Sequence, residues 1–318
     1  MSDEAANPEI VQEESGEGFA LRFDASEPPI HPIWRFLIAA IFIEATDWVS
    51  LNFASNVLTR HPILQDALYR CSGAAILLVG FYFMMRTLDE VDHKDVLPEL
   101  GFPVRSALRD LAVGVSISTL LIFVAVVLIA IGGRYSFQFH ATALAWRKFA
   151  EVLLLLIVGA AYEELSFRGY AFQRLTQAVG PAASIAIFSI WFGGVHLWNP
   201  HSGGILSWSF LNTIGVGVLF AIAFLRTRTL WMPIGMHFGW NFALGTLFGL
   251  PVSGLDIFSV LVHGKAFGPK WLTGGYYGLE ASATGTFVVL LGFIPVLLLT
   301  RARNVTRFSS PEHLNQAE

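Results

Sequence analysis

The chain has 318 residues, of which 54% are hydrophobic and only 14% are charged. Because soluble domains carry roughly a quarter charged residues, this composition predicts a membrane protein whose main partner is the lipid bilayer. The net charge of −4 argues against a nucleic-acid-binding surface, so nucleic acid is not an expected partner. The chain contains one cysteine, Cys71, which excludes an intramolecular disulfide.

A polar tail followed by eight apolar segments predicts an all-α membrane protein, a polytopic bundle of about eight transmembrane helices. Residues 1–27 are rich in Glu, Ser, Ala and Pro and predict a disordered acidic tail. Each apolar segment can cross a hydrocarbon core of about 30 Å as a helix, which satisfies its own backbone polar groups. The predicted spans cover residues 33–52, 68–85, 111–132, a fourth segment from about 149, 181–198, 203–225, 230–250 and 281–300.

Charged and glycine-rich segments divide the rest of the chain. Residues 28–110 hold the first two helices and a connector at 89–110, residues 111–300 form the predicted core, and residues 301–318 form a tail. With alternating spans, thirteen of the twenty Lys and Arg residues fall on the side of the N-terminus. The positive-inside rule therefore predicts a multi-pass cell-membrane protein with the connector and both termini in the cytoplasm. Residues 251–280, with six glycines, are expected to form an extracytoplasmic loop or a re-entrant lid.

Two adjacent carboxylates and an arginine lie in the fourth span, where each charge costs about 3 kcal/mol and therefore marks a functional site. Glu164 and Arg168 are four residues apart, so in a helix they share a face and can pair. Glu163 points about 100° away from that face. We therefore expect Glu164 to be neutralised and Glu163 to be unpaired, with a pKa raised by desolvation toward the range of a general base.

Two histidines and an asparagine lie in other spans. His196 lies in the fifth span, and His237 and Asn241 lie four residues apart in the seventh. Glu163 and His196 are at similar distances on either side of a predicted turn at Gly180, so a helical hairpin would bring them to the same depth. A lone histidine in a membrane helix is about equally often a structural residue, which donates a hydrogen bond to a backbone carbonyl, and a functional one. The combination of acid, imidazole and amide nevertheless predicts a buried, water-filled polar site.

These residue types support two kinds of hydrolytic chemistry. In the first, Glu163 takes a proton from water, His196 helps to hold that water, and His237 and Asn241 stabilise the oxyanion. In the second, two imidazoles and a carboxylate bind a metal such as zinc, with an open position for water. The sequence leaves both alternatives open, so the cofactor prediction is either zinc or no metal.

Three short motifs in this order resemble those of the CPBP family, which includes the type II CAAX prenyl proteases and the bacteriocin-processing or Abi membrane proteins. The motifs are Glu163-Glu164-x-x-x-Arg168, Phe192-x-x-x-His196 and His237-x-x-x-Asn241. The resemblance covers about residues 100–300, and the Leu-Thr-Gly-Gly-Tyr-Tyr-Gly-Leu-Glu run at 272–280 resembles a stretch of bacterial members.

The resemblance implies an intramembrane endopeptidase that acts on a membrane-tethered peptide or protein substrate. It implies that Glu163 is the water-activating base and that His196, His237 and Asn241 line the pocket. It also implies that Glu164 and Arg168 hold the helix. In the eukaryotic branch of the family, the last three residues after a prenylated cysteine are removed.

Two alternative functions belong to other classes. Glu44 and Asp47, in the first span, are interpreted as structural, either near an interface or paired with Arg70. Together with Glu163 and Glu164 they also motivate a proton-coupled transporter, against which the chain shows no duplicated halves. A non-catalytic scaffold or bacteriocin-immunity protein that keeps the pocket is the third possibility.

Overall fold

The fold was analysed in a computed structural model that describes residues 30–58 and 60–300. The tails predicted at 1–27 and 301–318 lie outside the described residues. In chain order the elements are α1 (Pro32–Val57), α2 (Pro62–Thr87), α3 (Val96–Leu100), α4 (Ala107–Gly132), β1 (Arg134–Phe139), α5 (Ala143–Arg168), α6 (Tyr170–Val179), α7 (Pro181–Val195), α8 (Trp208–Thr227), α9 (Trp231–Asn241), β2 (Val262–Phe267), α10 (Lys270–Thr273) and α11 (Ala283–Leu299). Single helical turns occur at Val104–Ser106, His196–Trp198 and Leu279–Ala281, and a wider π-type turn, Phe242–Leu247, extends α9.

Apolar helices dominate this fold and confirm the predicted all-α membrane architecture. Among the described residues, five segments are long and apolar enough to cross a membrane: Pro32–Val57, Pro62–Thr87, Val104–Gly132, Pro181–Trp198 and Trp208–Thr227. The apolar α11 is shorter, with 17 residues, while α5 and α9 carry the polar residues of interest. The predicted number of eight spans is therefore not confirmed, and the cytoplasmic position of the termini stays a prediction.

The fourth predicted helix differs from expectation because it breaks at Gly169. α5 ends at Arg168, and the ten-residue α6 begins at Tyr170. A Cβ atom at position 169 would lie 2.2 Å from the carbonyl oxygen of Leu165, so only glycine fits this break. The hairpin turn at Gly180 therefore joins α6 to α7 rather than α5 to α7.

Close backbone contact fixes α9 against α4. A Cβ atom at Gly235 would lie 2.4 Å from the carbonyl oxygen of Leu111, and one at Gly114 would lie 2.4 Å from that of Met232. Such small residues let membrane helices pack at short distance, where van der Waals contact replaces the hydrophobic effect. This packing sets the position of the α9 face that carries His237.

A two-stranded sheet, which the sequence did not predict, orders part of the 251–280 loop. β1 and β2 pair antiparallel, with Arg134 opposite Phe267 and Phe139 opposite Val262. The Tyr135 hydroxyl donates a hydrogen bond to the Phe248 carbonyl at 2.7 Å, which ties the sheet to the end of the π-type turn. The loop is therefore a folded part of the molecule that packs on the helices.

Two buried apolar clusters support the region between them. The first involves mainly α4, the first half of α5, α9 and α11, and the second involves mainly α1, α2, α6 and α7. The partly buried Val216 and Phe238 pack against both clusters. The polar residues near the end of α5 lie at this junction.

Candidate active site

A cavity of about 480 Å³ lies where the second half of α5 meets α7, α8 and α9. Four of the six sequence-predicted site residues line it: Glu163, His196, His237 and Asn241. They come from three separate parts of the chain, which the helix packing brings to one place. Aromatic rings form much of the remaining wall, contributed by Tyr69, Tyr162, Phe167, Trp191, Phe192, Trp198, Phe220, Trp240 and Phe258.

Glu163 is held from outside its own helix. Its Oε1 accepts a hydrogen bond from Nη1 of Arg70, on α2, at 2.5 Å. Its Oε2 is buried, makes no hydrogen bond to the described residues, and lies 3.7 Å from Nε2 of His237. The expectation that Glu163 would be unpaired is therefore wrong, because a cation from a distant part of the chain stabilises the ionised carboxylate.

Glu164 pairs with Arg168 as their spacing predicted, and also with a histidine. Its Oε1 accepts from Arg168 Nη1 at 3.1 Å and from His237 Nδ1 at 2.9 Å. Arg168 Nη2 donates in turn to the carbonyl of Gly217, on α8, at 3.0 Å. Glu164 and Arg168 are 0% and 1% exposed and do not line the cavity, so they tie α5 to α8 and α9.

The hydrogen bonds of His196 leave one ring nitrogen available. Nδ1 lies 2.7 Å from the carbonyl of Phe192, to which it donates because a carbonyl can only accept. In the neutral ring this fixes the proton on Nδ1 and leaves Nε2 as an acceptor. Asn241 ends α9, and the π-type turn after it is of a kind often found at functional sites.

Glu280 is a cavity carboxylate that the motifs did not identify. Its Oε1 accepts from Trp240 Nε1 at 3.0 Å, and its Oε2 accepts from the amide and from the hydroxyl of Ser253. Asn212 donates to its carbonyl oxygen at 2.9 Å. Burial raises the pKa of Glu280, against the opposing effects of the Ser253 donors, His196 and Trp240. The only sequence signal was its position at the end of the 272–280 run.

The acidic residues of α1 also reach the cavity, but with partners other than those expected. Asp47 accepts hydrogen bonds from the hydroxyls of Tyr162, at 2.9 Å, and of Tyr69. The suggested pairing with Arg70 is wrong, because Arg70 pairs with Glu163 and, at 3.4 Å, with Asp66. Glu44 and Asp47 both line the cavity.

The donor set of the site fits a metal ion poorly. Within the part of the chain that the structure describes, no group of three or more His, Cys, Asp or Glu side chains is arranged to hold a metal. His237 Nδ1 is engaged by Glu164, and Glu163 Oε1 is engaged by Arg70. A catalytic zinc site normally has three protein ligands. The choice between zinc and no metal stays a prediction.

Comparison with known proteins identifies the central helices. A family model described as type II CAAX prenyl endopeptidase Rce1-like matches residues 145–243. Searches of curated proteins and of solved structures find no match. The matched range is narrower than the predicted resemblance over 100–300, excludes Arg70 and Glu280, and holds all six predicted site residues: Glu163, Glu164, Arg168, His196, His237 and Asn241. Over this segment the chain is similar to the type II CAAX prenyl endopeptidases, which supports the predicted resemblance to the CPBP family.

Proposed function

We propose that the chain is an intramembrane endopeptidase in which Glu163 activates a water molecule to hydrolyse a peptide bond of a membrane-associated substrate. The family match over residues 145–243 supports a CAAX-protease-like endopeptidase in general. The observation that carries the mechanism is the position of Glu163 Oε2. This oxygen has no hydrogen bond to the described residues and faces the His237 imidazole at 3.7 Å beside the cavity.

The first step is attack on the scissile carbonyl. Glu163 Oε2 accepts a proton from water while the water oxygen bonds to the carbonyl carbon, and His196 Nε2 accepts the second water hydrogen as a hydrogen bond. The carbonyl electron pair moves to oxygen and forms an oxyanion. His237 lies between two carboxylates, which favour the doubly protonated ring, so Nε2–H donates while Nδ1–H is held by Glu164. The Asn241 amide is the second oxyanion donor.

The second step releases the two peptide products. The oxyanion re-forms the carbonyl, the C–N bond breaks, and the leaving nitrogen takes the proton from Glu163. Glu163 returns to its carboxylate form because its proton is now on the amine product. The acyl product leaves as a carboxylic acid that holds the oxygen and the second hydrogen of the water, and it gives this proton to the amine product or to solvent. Glu164 and Arg168 act only by holding His237 and the end of α5 in place.

The shape and lining of the cavity support a peptide substrate anchored in lipid. A volume of about 480 Å³ accommodates a few residues rather than a folded domain. Aromatic walls surround a small number of polar groups, an arrangement that binds apolar side chains and leaves the backbone to the polar residues. Because the matching family is described as a prenyl endopeptidase, the lipid anchors in the assay below include a prenyl group.

The experiment uses the full chain, purified in detergent, and internally quenched peptides with and without a lipid anchor. Glu163→Gln keeps the size of the side chain but removes the base, so cleavage should fall by about 10²-fold or more. Glu151→Gln is a matched control, because Glu151 is on the same helix, pairs with Arg147 and does not line the cavity. Wild-type cleavage by Glu163→Gln would refute the mechanism, and full function of Glu163→Ala in cells would favour the scaffold alternative.

A further inference from the structure

Among the described residues, Arg70 is the only lysine or arginine that lines the cavity. It lies outside the range of the family match. Its guanidinium reaches across from α2 to Glu163, 93 positions later in the chain, at 2.5 Å. Asp66, one turn before Arg70 on the same helix, holds its Nε at 3.4 Å. The side chains of Arg70 and Glu163 are 22% and 19% exposed, so the pair is largely shielded from solvent. Removing one partner of such a shielded pair would leave the other charge without compensation.

Two glycines provide the space for this crossing. A Cβ atom at Gly159, on α5, would lie 3.3 Å from Cδ of Arg70. A Cβ atom at Gly73, on α2, would lie 2.5 Å from Cε2 of Tyr162. Each helix therefore lacks a side chain where the other places a large one, and α2 and α5 can approach closely.

Paired residues on the two helices face each other around Asp47. On α2, Tyr69 precedes Arg70, and on α5, Tyr162 precedes Glu163. Both tyrosine hydroxyls donate to Oδ1 of Asp47, on α1, and the two rings make an edge contact at 5.5 Å between centroids. Asp47 thus fixes the relative position of α2 and α5 next to the ion pair.

We propose that Arg70 is a positioning residue for the reaction, and that it holds Oε1 of Glu163 so that Oε2 faces His237 and the cavity. This inference rests on the proposed role of Glu163 as the base. The last torsion of a glutamate side chain is broad and nearly two-fold, so a carboxylate without a fixed partner samples many orientations. A fixed guanidinium selects one of them, with the free oxygen toward the place of reaction. The α1–α2 pair is then part of the active site.

Activity measurements separate kcat from KM in variants of Arg70. Arg70→Met should lower kcat by about 10²-fold, the usual cost of a misplaced catalytic group, with a much smaller change in KM. Arg70→Lys keeps a charge at the site and should retain more activity than Arg70→Met. Low concentrations of guanidinium should restore part of the kcat of Arg70→Ala, since the truncated side chain leaves space beside Glu163 for one guanidinium ion. Arg86→Met, near the end of α2 and 4.0 Å from Asp92, is the matched control and should behave as wild type.

Infrared spectroscopy tests the same contact without activity. The difference between wild type and Glu163→Gln identifies the carboxylate band of Glu163, which should shift in Arg70→Met and not in Arg86→Met. If Arg70→Met does not fold, the kinetics and the infrared band are measured in Arg70→Lys and in Gly159→Ala, which disturb the packing of α2 on α5 less.

The outcomes separate this inference from the proposed function. An Arg70→Met protein with wild-type kcat, or with an unshifted Glu163 band, overturns the role of Arg70, while an inactive Glu163→Gln still supports the mechanism. If wild type cleaves no peptide, the proposed function fails, and the infrared band alone decides whether Arg70 fixes Glu163.

Discussion

The buried pair of Glu164 and Arg168 gives the sharpest prediction on stability. Glu164 is 0% exposed and accepts hydrogen bonds from Arg168 and His237, while Arg168 is 1% exposed. Arg168→Met removes the cation and leaves the carboxylate buried beside His237 alone. Removing one partner of a buried ion pair costs about 3–5 kcal/mol, far more than the pair adds when intact. At about 2–4 °C per kcal/mol, the melting temperature should fall on the order of 10 °C.

The double variant makes this prediction specific. Oε2 of Glu164 and Nε of Arg168 make no hydrogen bonds to the described residues, so the pair is not fully compensated even when intact. Removing both charges should therefore cost less than removing one. Glu164→Gln combined with Arg168→Met should melt at a higher temperature than Arg168→Met alone, a coupling that a double-mutant cycle measures.

A second pair on the same helix is the control. Arg147 and Glu151 have the same four-residue separation on α5, but Arg147 is 70% exposed. An exposed pair contributes about 0–1 kcal/mol, so Arg147→Met should leave the melting temperature nearly unchanged. Tryptophan fluorescence during heating in detergent measures five proteins: wild type, Glu164→Gln, Arg168→Met, the double variant and Arg147→Met. Equal melting temperatures for Arg168→Met and Arg147→Met, or additive effects in the double variant, would contradict this reasoning.

Three further predictions concern packing, pH and metal removal. Gly73→Ala places a Cβ atom 2.5 Å from the Tyr162 ring and should lower the free energy of unfolding by about 1–3 kcal/mol. Gly194→Ala is the control, because a Cβ atom there has no heavy atom within 4 Å and should leave stability unchanged. Equal melting temperatures for the two variants would contradict the close packing of α2 on α5. Burial raises the pKa of Glu280 above its ordinary 4.5, so the folded state binds this proton more tightly than the unfolded state. The stability of wild type relative to Glu280→Gln should therefore be greatest below that value and decrease as the pH rises through the folded-state pKa, and a melting-temperature difference independent of pH would refute the assignment. Peptide cleavage should survive dialysis against a chelator, because no described group of three ligands holds a metal, and a loss restored by zinc would show the opposite.

Local spacing predicted the parts of this structure that a single helix determines. The Glu164–Arg168 pair follows from the four-residue separation, and the membrane character follows from the long apolar segments. The three motifs suggested the family resemblance, and all three lie in the segment that the family model matches, 145–243. In each case the information lies within one helix or one short motif.

Contacts between distant segments could not be predicted in this way. Arg70 and Glu163 are 93 positions apart, and Trp240 and Glu280 are 40 apart, so no helical period relates them. The pairing of β1 with β2 likewise joins two segments that helices α5 to α9 separate in the sequence. The break at Gly169 was missed for a different reason, since the apolar pattern continues through it and only the crowding at the Leu165 carbonyl requires it.

The different partners of the two adjacent glutamates follow from helix geometry. A residue in a helix can pair within that helix only at positions three or four away. For Glu164, position i+4 is Arg168, and the pair forms within α5. For Glu163, position i+4 is Phe167 and position i−4 is Gly159, neither of which carries charge. Because glycine leaves that face of α5 empty, the guanidinium from α2 lies where an internal partner would have been. The carboxylate that we propose as the base is therefore paired with a helix outside the family match.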